Sequence, residues 1–530
     1  MSSLVAIVNS DNPSQNVSKG KTTKEKVSNT LTSEIIIGIC APIGSFKDNV
    51  IDSISALLTN EYNYTVKKIK ISSFIETYYK SDKKIELGQS QGFTHLMNKI
   101  NGGDYLRSKY NPSCLAELAI RDIHHERMKD INIKESSFND SIPQLETRRV
   151  CYIIDSLKNL EELNLLRAVY GNIFYCFSVF SPEQERKNNL LKKDLSTSEV
   201  EKIINTDEYE NNLHGQNVRN TFIEGDFFIR VSDNNIAKLD KKIKRYFNII
   251  FESDVITPTP NEIAMYEAKS AAGNSACLSR QVGAAITNSK GEIVSRGWND
   301  VPKFGGNLYK EGEEQDARCK TLGFCSNDMT KVTVAEDILK GFANNKEIKT
   351  KLFGEGELTE NNPTFKLLVN IIRKNTKVKD LIEFSRSVHA EMHAIIVGSQ
   401  LAGSKMIGGK LFCTTYPCHN CARHIIVAGI TEIYYIEPYK KSLCIELHKD
   451  AITEDESSTT KTKILMYDGV APRRYLEFFT LSKQRKDSNG LIIKDNFHII
   501  NPKTRITLQA LPTLESQAIH SLTETGLLNI

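Results

Sequence analysis

The chain has one tryptophan in 530 residues, and its 69 lysines and arginines so nearly match its 65 aspartates and glutamates that the formal net charge is +4. So small an excess leaves no electrostatic footprint for a nucleic-acid polymer, and a lone tryptophan speaks against a platform of stacking aromatics. Also missing is any apolar run approaching about 18 residues, so no membrane-spanning helix is expected. The opening, M-S-S-L-V-A-I-V-N-S, has a short apolar run with no basic region before it and does not read as a secretory signal. The 11 cysteines are scattered. Without a signal they point to reduced thiols in a cytoplasmic protein, not to a disulfide framework.

At about 150 residues per domain, the length predicts two to four units. Residues 1–34, rich in Ser, Asn, Thr and Lys, bury little and read as a mobile arm. Residues 35–250 then alternate strand and helix patterns, which predicts a parallel α/β sheet. Its first strand, I-I-I-G-I-C, runs into A-P-I-G-S-F-K-D and an amphipathic helix, the setting of a phosphate-binding P-loop. Gly44 and Ser45 would offer backbone N–H groups and Lys47 a charge. Against G-x-x-x-x-G-K-[ST], however, Ala41, Phe46 and Asp48 replace both glycines and the magnesium-binding hydroxyl, so nucleotide binding without efficient phosphoryl transfer is expected, and an ordinary turn is the alternative. The strand T-V-K-K-I-K-I follows, with a buried pattern. The strand R-V-C-Y-I-I-D ends at Asp155, which either holds magnesium or caps the next helix. Residues 181–215, mostly charged and polar, could cover this loop as a lid.

The prolines of D-V-I-T-P-T-P mark a linker at 251–260. A second domain over 261–485 opens with a small-residue helix and a hairpin turned at N-S-K-G. An insertion, 301–385, exceeds the roughly 15 residues usual for a structureless loop and must carry structure or function. Within it Cys319 and Cys325 form either part of a second metal site or two unrelated thiols, the five-residue spacing being loose for zinc. Residues 486–530 form a C-terminal extension with no informative pattern.

The chemistry concentrates between His389 and Cys421. S-V-H-A-E-M-H supplies an imidazole at His389 and a carboxylate at Glu391, and T-T-Y-P-C-H-N-C-A-R supplies thiols at Cys418 and Cys421. Three such ligands suit Zn2+ and leave a fourth tetrahedral position for water, whose pKa the metal lowers toward about 7. Glu391 would carry protons from that water to a substrate nitrogen and a leaving amine. A closed structural zinc is the alternative, with His393, one helical turn after His389, as fourth ligand. That arrangement leaves Glu391 and Pro417 without a purpose. Both ligand segments fall at helix N-termini, which favour thiolate.

H-x-E followed by P-C-x-x-C resembles the signature of zinc nucleobase deaminases. From about Asn261 to Phe479, with G-W-N-D and a Tyr-rich strand after the cysteines, the chain resembles the deoxycytidylate deaminase family. Joined to a P-loop kinase-like domain, it is similar to the bacterial anti-phage dCTP deaminases. The resemblance implies an α/β protein whose second domain is a cytidine-deaminase-like α/β/α sandwich. It implies hydrolysis of dCTP, and of dCMP, to the uracil nucleotide and ammonia, draining the deoxycytidine pool during phage infection. Position by position it makes His389, Cys418 and Cys421 the zinc ligands, Glu391 the proton shuttle and Asn299 a contact to deoxyribose. Arg280, Gln281, Tyr439, Lys441 and Ser442 become candidates for holding base, sugar or phosphate, and Lys441, Arg473 and Arg474 offer cations for a terminal phosphate. The expected partners are free cytosine deoxynucleotides, a regulatory nucleotide at the N-terminal domain and further copies of the chain, with no membrane and no nucleic-acid substrate. The competing readings are a nucleic-acid-editing cytosine deaminase and a nucleotide-regulated scaffold with structural zinc.

Overall fold

In the computed structural model the described residues are 22–83, 92–130, 147–209, 217–353, 362–438 and 442–529. They form an α/β protein with two six-stranded sheets. The first contains β1 (Ile35–Cys40), β2 (Thr65–Lys70), β3 (Val150–Asp155), β4 (Phe174–Phe180) and β5 (Phe227–Arg230), in the order β2-β3-β1-β4-β5 and parallel throughout. All six residues of β1 and of β3 are buried, as continuous apolar runs between two helical layers must be. β2 departs from its predicted burial. It is an edge strand with one neighbour, and Lys67 and Lys68 turn outward to Glu126 and Asp52.

The second sheet contains β6 (Gly283–Thr287), β7 (Ile293–Trp298), β8 (Lys410–Thr415), β9 (Glu432–Glu437), β10 (Ile452–Thr453) and β11 (Thr462–Met466), in the order β10-β11-β9-β8-β6-β7. β6 is antiparallel to both its neighbours, and β8, β9, β11 and β10 run parallel. Two helices cross it so closely that only glycine fits beneath each. A Cβ on Gly283 would meet Ala268 O at 1.9 Å, within the helix Pro260–Ala272, and one on Gly297 would meet Ala390 O at 2.3 Å. Gly297 pairs with Ala284, the neighbour of Gly283, so the two helices lie on opposite faces.

The two halves are tied at several points. A short strand, β12 (Gly469–Val470), assigned by sequence to the second domain, instead pairs antiparallel with β5 and extends the first sheet. Val470 N–H also donates to the buried Glu262 at 3.0 Å, and Arg245 binds the same carboxylate at 2.6 Å. At the N-terminus the expected arm is not free along its whole length, since Thr32, Ser33 and Glu34 are buried and Glu34 pairs with Arg127 and Arg148. Residues 1–21 lie outside the described residues. The helix Leu511–Glu524 in the C-terminal extension completes this cluster, with buried Glu515 accepting from Arg127 and from Tyr170. A charge so buried is held by its partners, which lie hundreds of residues earlier in sequence. The insertion 301–385 begins with turns and a Pro302–Leu308 bridge and is mostly helical from Cys319 on where described, and Ala335, Leu339, Phe353, Phe365 and Val369 give it a small core.

Candidate active site

The helix Ala390–Leu401 starts where the chain leaves an extended bridge between Val388 and Asp300. Val388 N–H donates to Asp300 O at 2.9 Å, and the Asp300 carboxylate accepts from Ala276 N–H at 2.9 Å. This places His389 as N-cap and Glu391 in the first turn. Opposite, β8 ends at Thr415, and after Tyr416 and Pro417 the residue Cys418 caps the helix His419–Val427. Two helix N-termini therefore converge at the end of β8, bringing two sets of unpaired backbone N–H groups with them.

His389 Nδ1 lies 3.4 Å from Cys418 Sγ and 3.3 Å from Cys421 Sγ. Two ligands at zinc distances on neighbouring corners of a tetrahedron are separated by about 3.5 Å, so these three atoms fit the metal. Among the described residues no other group of three His, Cys, Asp or Glu side chains comes together in this way. Among the described residues Cys319 and Cys325 belong to no such group. His393, the proposed fourth ligand of a closed site, is committed elsewhere. Its Nδ1 accepts from Trp298 N–H at 3.1 Å, and its Nε2 lies 3.0 Å from Asn307 Oδ1. Burial lowers its pKa, which suits this neutral ring.

Hydrogen bonding with Cys421, and then with His389, draws the Cys418 thiol down to about 4 against the effect of burial. The helix end supports that direction, because Cys421 N–H donates to Cys418 Sγ at 3.4 Å. Cys421 shares the proton with Cys418 and is pushed upward, while the bond to Cys418 raises His389 to about 9. Neutral imidazole and thiolate are the forms that bind a metal, so metal binding at such a cluster is coupled to proton release. Glu391 is buried beside this cluster, and desolvation raises its pKa. A carboxyl so placed holds a proton more readily than an exposed one, the direction that suits a proton carrier.

The cluster opens into a cavity of about 430 Å³, lined by His389, Glu391, Cys418 and Asn299 and by three arginines, Arg219, Arg280 and Arg386. A sequence model of the family described as cytidine and deoxycytidylate deaminase zinc-binding region matches residues 258–437. The deoxycytidylate deaminase of Enterobacteria phage T2 is 26% identical over 168 residues, which are 32% of this chain and 74% of that protein. Residues 258–437 are therefore similar to the zinc-binding region of cytidine and deoxycytidylate deaminases. The ComE operon protein 2 of Bacillus subtilis is 45% identical over 56 residues, 11% of this chain, and the chain spans only 29% of that relative's length. The dCMP deaminase of cyanophage S-TIM5, solved with dCMP and dUMP, aligns over 40% of this chain and 99% of its own, at 19% identity and a TM-score of 0.22.

In the second half of the chain the weaker candidates divide. Asn299 and Arg280 line the cavity, but the Asn299 amide is engaged with backbone, accepting from Val282 N–H at 2.7 Å and donating to Arg280 O at 2.9 Å. It shapes the 280–282 turn whatever else it contacts. Gln281 instead points to Ser275 O, at 2.8 Å. Ser442 donates to Pro417 O at 2.7 Å and lines a neighbouring cavity of about 820 Å³. Tyr439 and Lys441 lie outside the described residues. Arg473 and Arg474 are not at the cavity. Asp226 pairs with both beside β5, because β12 carries them to the first sheet.

The P-loop-like turn lies in the other half of the protein. Gly44 has φ +83°, in the left-handed region that glycine tolerates, and its carbonyl accepts from Asn189 at 3.0 Å. The Ser45 hydroxyl is buried without a partner, and Lys47 bonds Asp155. Asp155 is not the cap of the following helix, since Asn159 fills that role through a capping box. The expected lid contains two helices, Glu183–Leu191 and Thr197–Tyr209, and Asp207 from the second accepts from Ile43 N–H at 2.7 Å. Sequence reasoning missed Arg219, Arg386 and Glu437. Arg386 adjoins the S-V-H-A-E motif and could have been found there, whereas nothing around Arg219 signals its destination.

Proposed function

We propose that the chain is a zinc-dependent hydrolytic deaminase that converts free cytosine deoxynucleotides, dCTP and also dCMP, to the uracil nucleotide and ammonia. What carries the reading is the buried Glu391 carboxyl beside the His389, Cys418 and Cys421 cluster, in a cavity with three arginines. Zn2+, when bound, supplies a Lewis acid that makes water a nucleophile at neutral pH. The residues that would hold it are His389 Nδ1 and the two thiolates. Glu391 would take one proton from the water and deliver it to the pyrimidine ring nitrogen as the water oxygen bonds to the amine-bearing carbon, then pass the remaining hydroxyl proton to the exocyclic amine as the carbon–nitrogen bond breaks and ammonia leaves. Arginines in the cavity favour a phosphorylated substrate over a nucleoside.

In the same proposal, removal of dCTP starves an infecting phage of a DNA precursor, and the N-terminal half regulates the deaminase through a nucleotide at the loop 41–48. The cellular setting proposed is the cytoplasm, which holds the nucleotide pool and keeps thiols reduced; the 11 cysteines are all unpaired. The test is incubation of the zinc-loaded full-length protein with dCTP, dCMP, CTP and a cytosine-containing oligonucleotide, with products identified by mass spectrometry, beside nucleotide-pool measurements after infection. Turnover of dCTP and dCMP with loss of dCTP in infected cells is expected. Editing of the oligonucleotide with dCTP untouched would move the protein to the nucleic-acid-editing class, and zinc without any turnover would favour the scaffold reading.

A further inference from the structure

Arg219 belongs by sequence and packing to the N-terminal half. It lies on the helix Val218–Phe222, whose Val218 and Phe222 are buried against the first sheet. Ser178 of β4 donates to Phe222 O at 2.6 Å, and the Phe222 ring packs on Phe228 of β5 at 5.7 Å. The Arg219 side chain nevertheless leaves this half and lines the cavity that holds His389 and Glu391. Its Nη2 donates to Glu437 Oε1 at 2.7 Å, at the end of β9. Arg280 Nη2, from the deaminase domain, stands 3.0 Å from that same oxygen.

Two guanidinium groups on one carboxylate oxygen leave a positive charge uncompensated, and like charges this close are stable only with more negative charge nearby. The Glu437 carboxylate is also shared, its other oxygen accepting from Thr415 at 3.3 Å. The Arg219 Nε is buried without a hydrogen-bond partner, an N–H that a ligand oxygen would satisfy. Arg386 adds a third guanidinium to the wall, while Glu391 is the acid in contact with the cavity. The arrangement is therefore an anion site at the mouth of a deaminase pocket, with forked donors that match phosphate geometry.

We propose that Arg219 is a specificity-determining residue of the deaminase site, binding with Arg280 the phosphate of a cytosine nucleotide. The N-terminal half thereby completes the substrate pocket. This rests on the deaminase reading above and adds to it the identity of the phosphate-binding group and its origin in the other half of the chain. A consequence is that any displacement of the helix Val218–Phe222 changes nucleotide affinity without touching the metal cluster. Glu437 is a placeholder in this scheme, holding both guanidinium groups in position until phosphate arrives.

The experiment uses the full-length protein and three variants, Arg219→Ala, Arg219→Lys and Glu437→Gln, with KM and kcat measured on dCMP and dCTP and zinc content as the check on folding. Arg219→Ala should raise KM about 10- to 100-fold, the loss expected for charge-assisted hydrogen bonds, with kcat changed much less. Arg219→Lys should recover part of that loss, and Glu437→Gln, which keeps an acceptor oxygen for the two guanidinium groups, should raise KM less than Arg219→Ala does. A KM in Arg219→Ala equal to that of the parent would overturn the inference. So would a Glu437→Gln variant as impaired as Arg219→Ala, since the ion pair would then be only a strut between the halves. If Arg219→Ala loses its zinc, Arg219→Lys and Arg219→Gln carry the comparison. Failure of the parent to deaminate any free cytosine nucleotide would instead overturn the underlying deaminase reading.

Discussion

Lys47 Nζ lies 2.6 and 2.7 Å from the two carboxylate oxygens of Asp155, joining the helix after β1 to the end of β3. This bond spans the carboxyl edge of the first sheet, where open α/β sheets bind ligands. Two backbone donors of the turn are also engaged. Ile43 N–H donates to Asp207, and Phe46 N–H donates to Ser181 Oγ at 3.2 Å. Lys158 binds Ala41 O and Asp207 at 2.7 and 2.9 Å, fixing the acid that covers the loop. A phosphate entering here must displace the Asp207 carboxylate and draw Lys47 from Asp155. On the proposal that a nucleotide binds the loop 41–48, its binding would be linked to displacement of Asp207 on the helix Thr197–Tyr209.

Substituting Lys47 separates binding from stability. Lys47→Met leaves a nearly buried carboxylate unpaired and should cost about 1–3 kcal/mol in chemical denaturation. Adding Asp155→Asn should restore much of that stability but not nucleotide binding, measured by calorimetry. Zinc content should stay at the parental level in both. Nucleotide affinity equal to that of the parent in Lys47→Met would make the loop a plain turn.

Glu391→Ala should keep zinc and lose deamination by about 10²- to 10⁴-fold, because the acid moves protons and lies outside the three-atom ligand cluster. Cys418→Ala should lose both. Metal analysis run alongside turnover checks this, and near-normal turnover in Glu391→Ala would remove the carboxylate from the mechanism.

Gly297→Ala tests how the site is positioned. The new Cβ would stand 2.3 Å from Ala390 O and 2.4 Å from Ala394 N, both backbone atoms of the helix that begins after His389. Either β7 or that helix must move, at a cost of at least about 2 kcal/mol. The expected result is a lower Tm with reduced zinc occupancy and turnover. A variant with parental Tm and zinc would show that the contact is soft.

The pH dependence of stability has a marker in Glu432. Burial pushes its pKa up, but hydrogen bonds from Lys410, Lys463 and Tyr434 outweigh this and take it from the ordinary 4.5 to about 2. A depressed carboxylate stabilises the fold fully above its unfolded pKa, and the contribution fades as pH falls through the folded value. The stability difference between the parent and Glu432→Gln should therefore be constant near neutrality and shrink between about pH 4.5 and pH 2. Urea titrations across that range measure it. A difference that grew on acidification would reverse the sign argued here.

What the sequence by itself determined is local. H-x-E and P-C-x-x-C put an acid two residues from one ligand and two thiols three residues apart, and such spacings set which groups share a helix end. The continuous apolar runs of β1 and β3 and the N-S-K-G turn of the hairpin were legible for the same reason, since strand and turn patterns span a few residues. Only the tertiary structure decided the rest. Arg219 meets Glu437 across 218 positions, and His393, four residues from His389, turns to Trp298 and Asn307. Asp207 closes the loop expected to hold phosphate, and a strand of two residues carries Arg473 and Arg474 away from the cavity. The pairings of Arg219 with Glu437 and of Arg473 and Arg474 with Asp226 depend on how the two sheets dock and which charges they trap at the seam. Periodicity along a chain does not encode that, because a guanidinium several carbons from its backbone takes the nearest acid the fold presents.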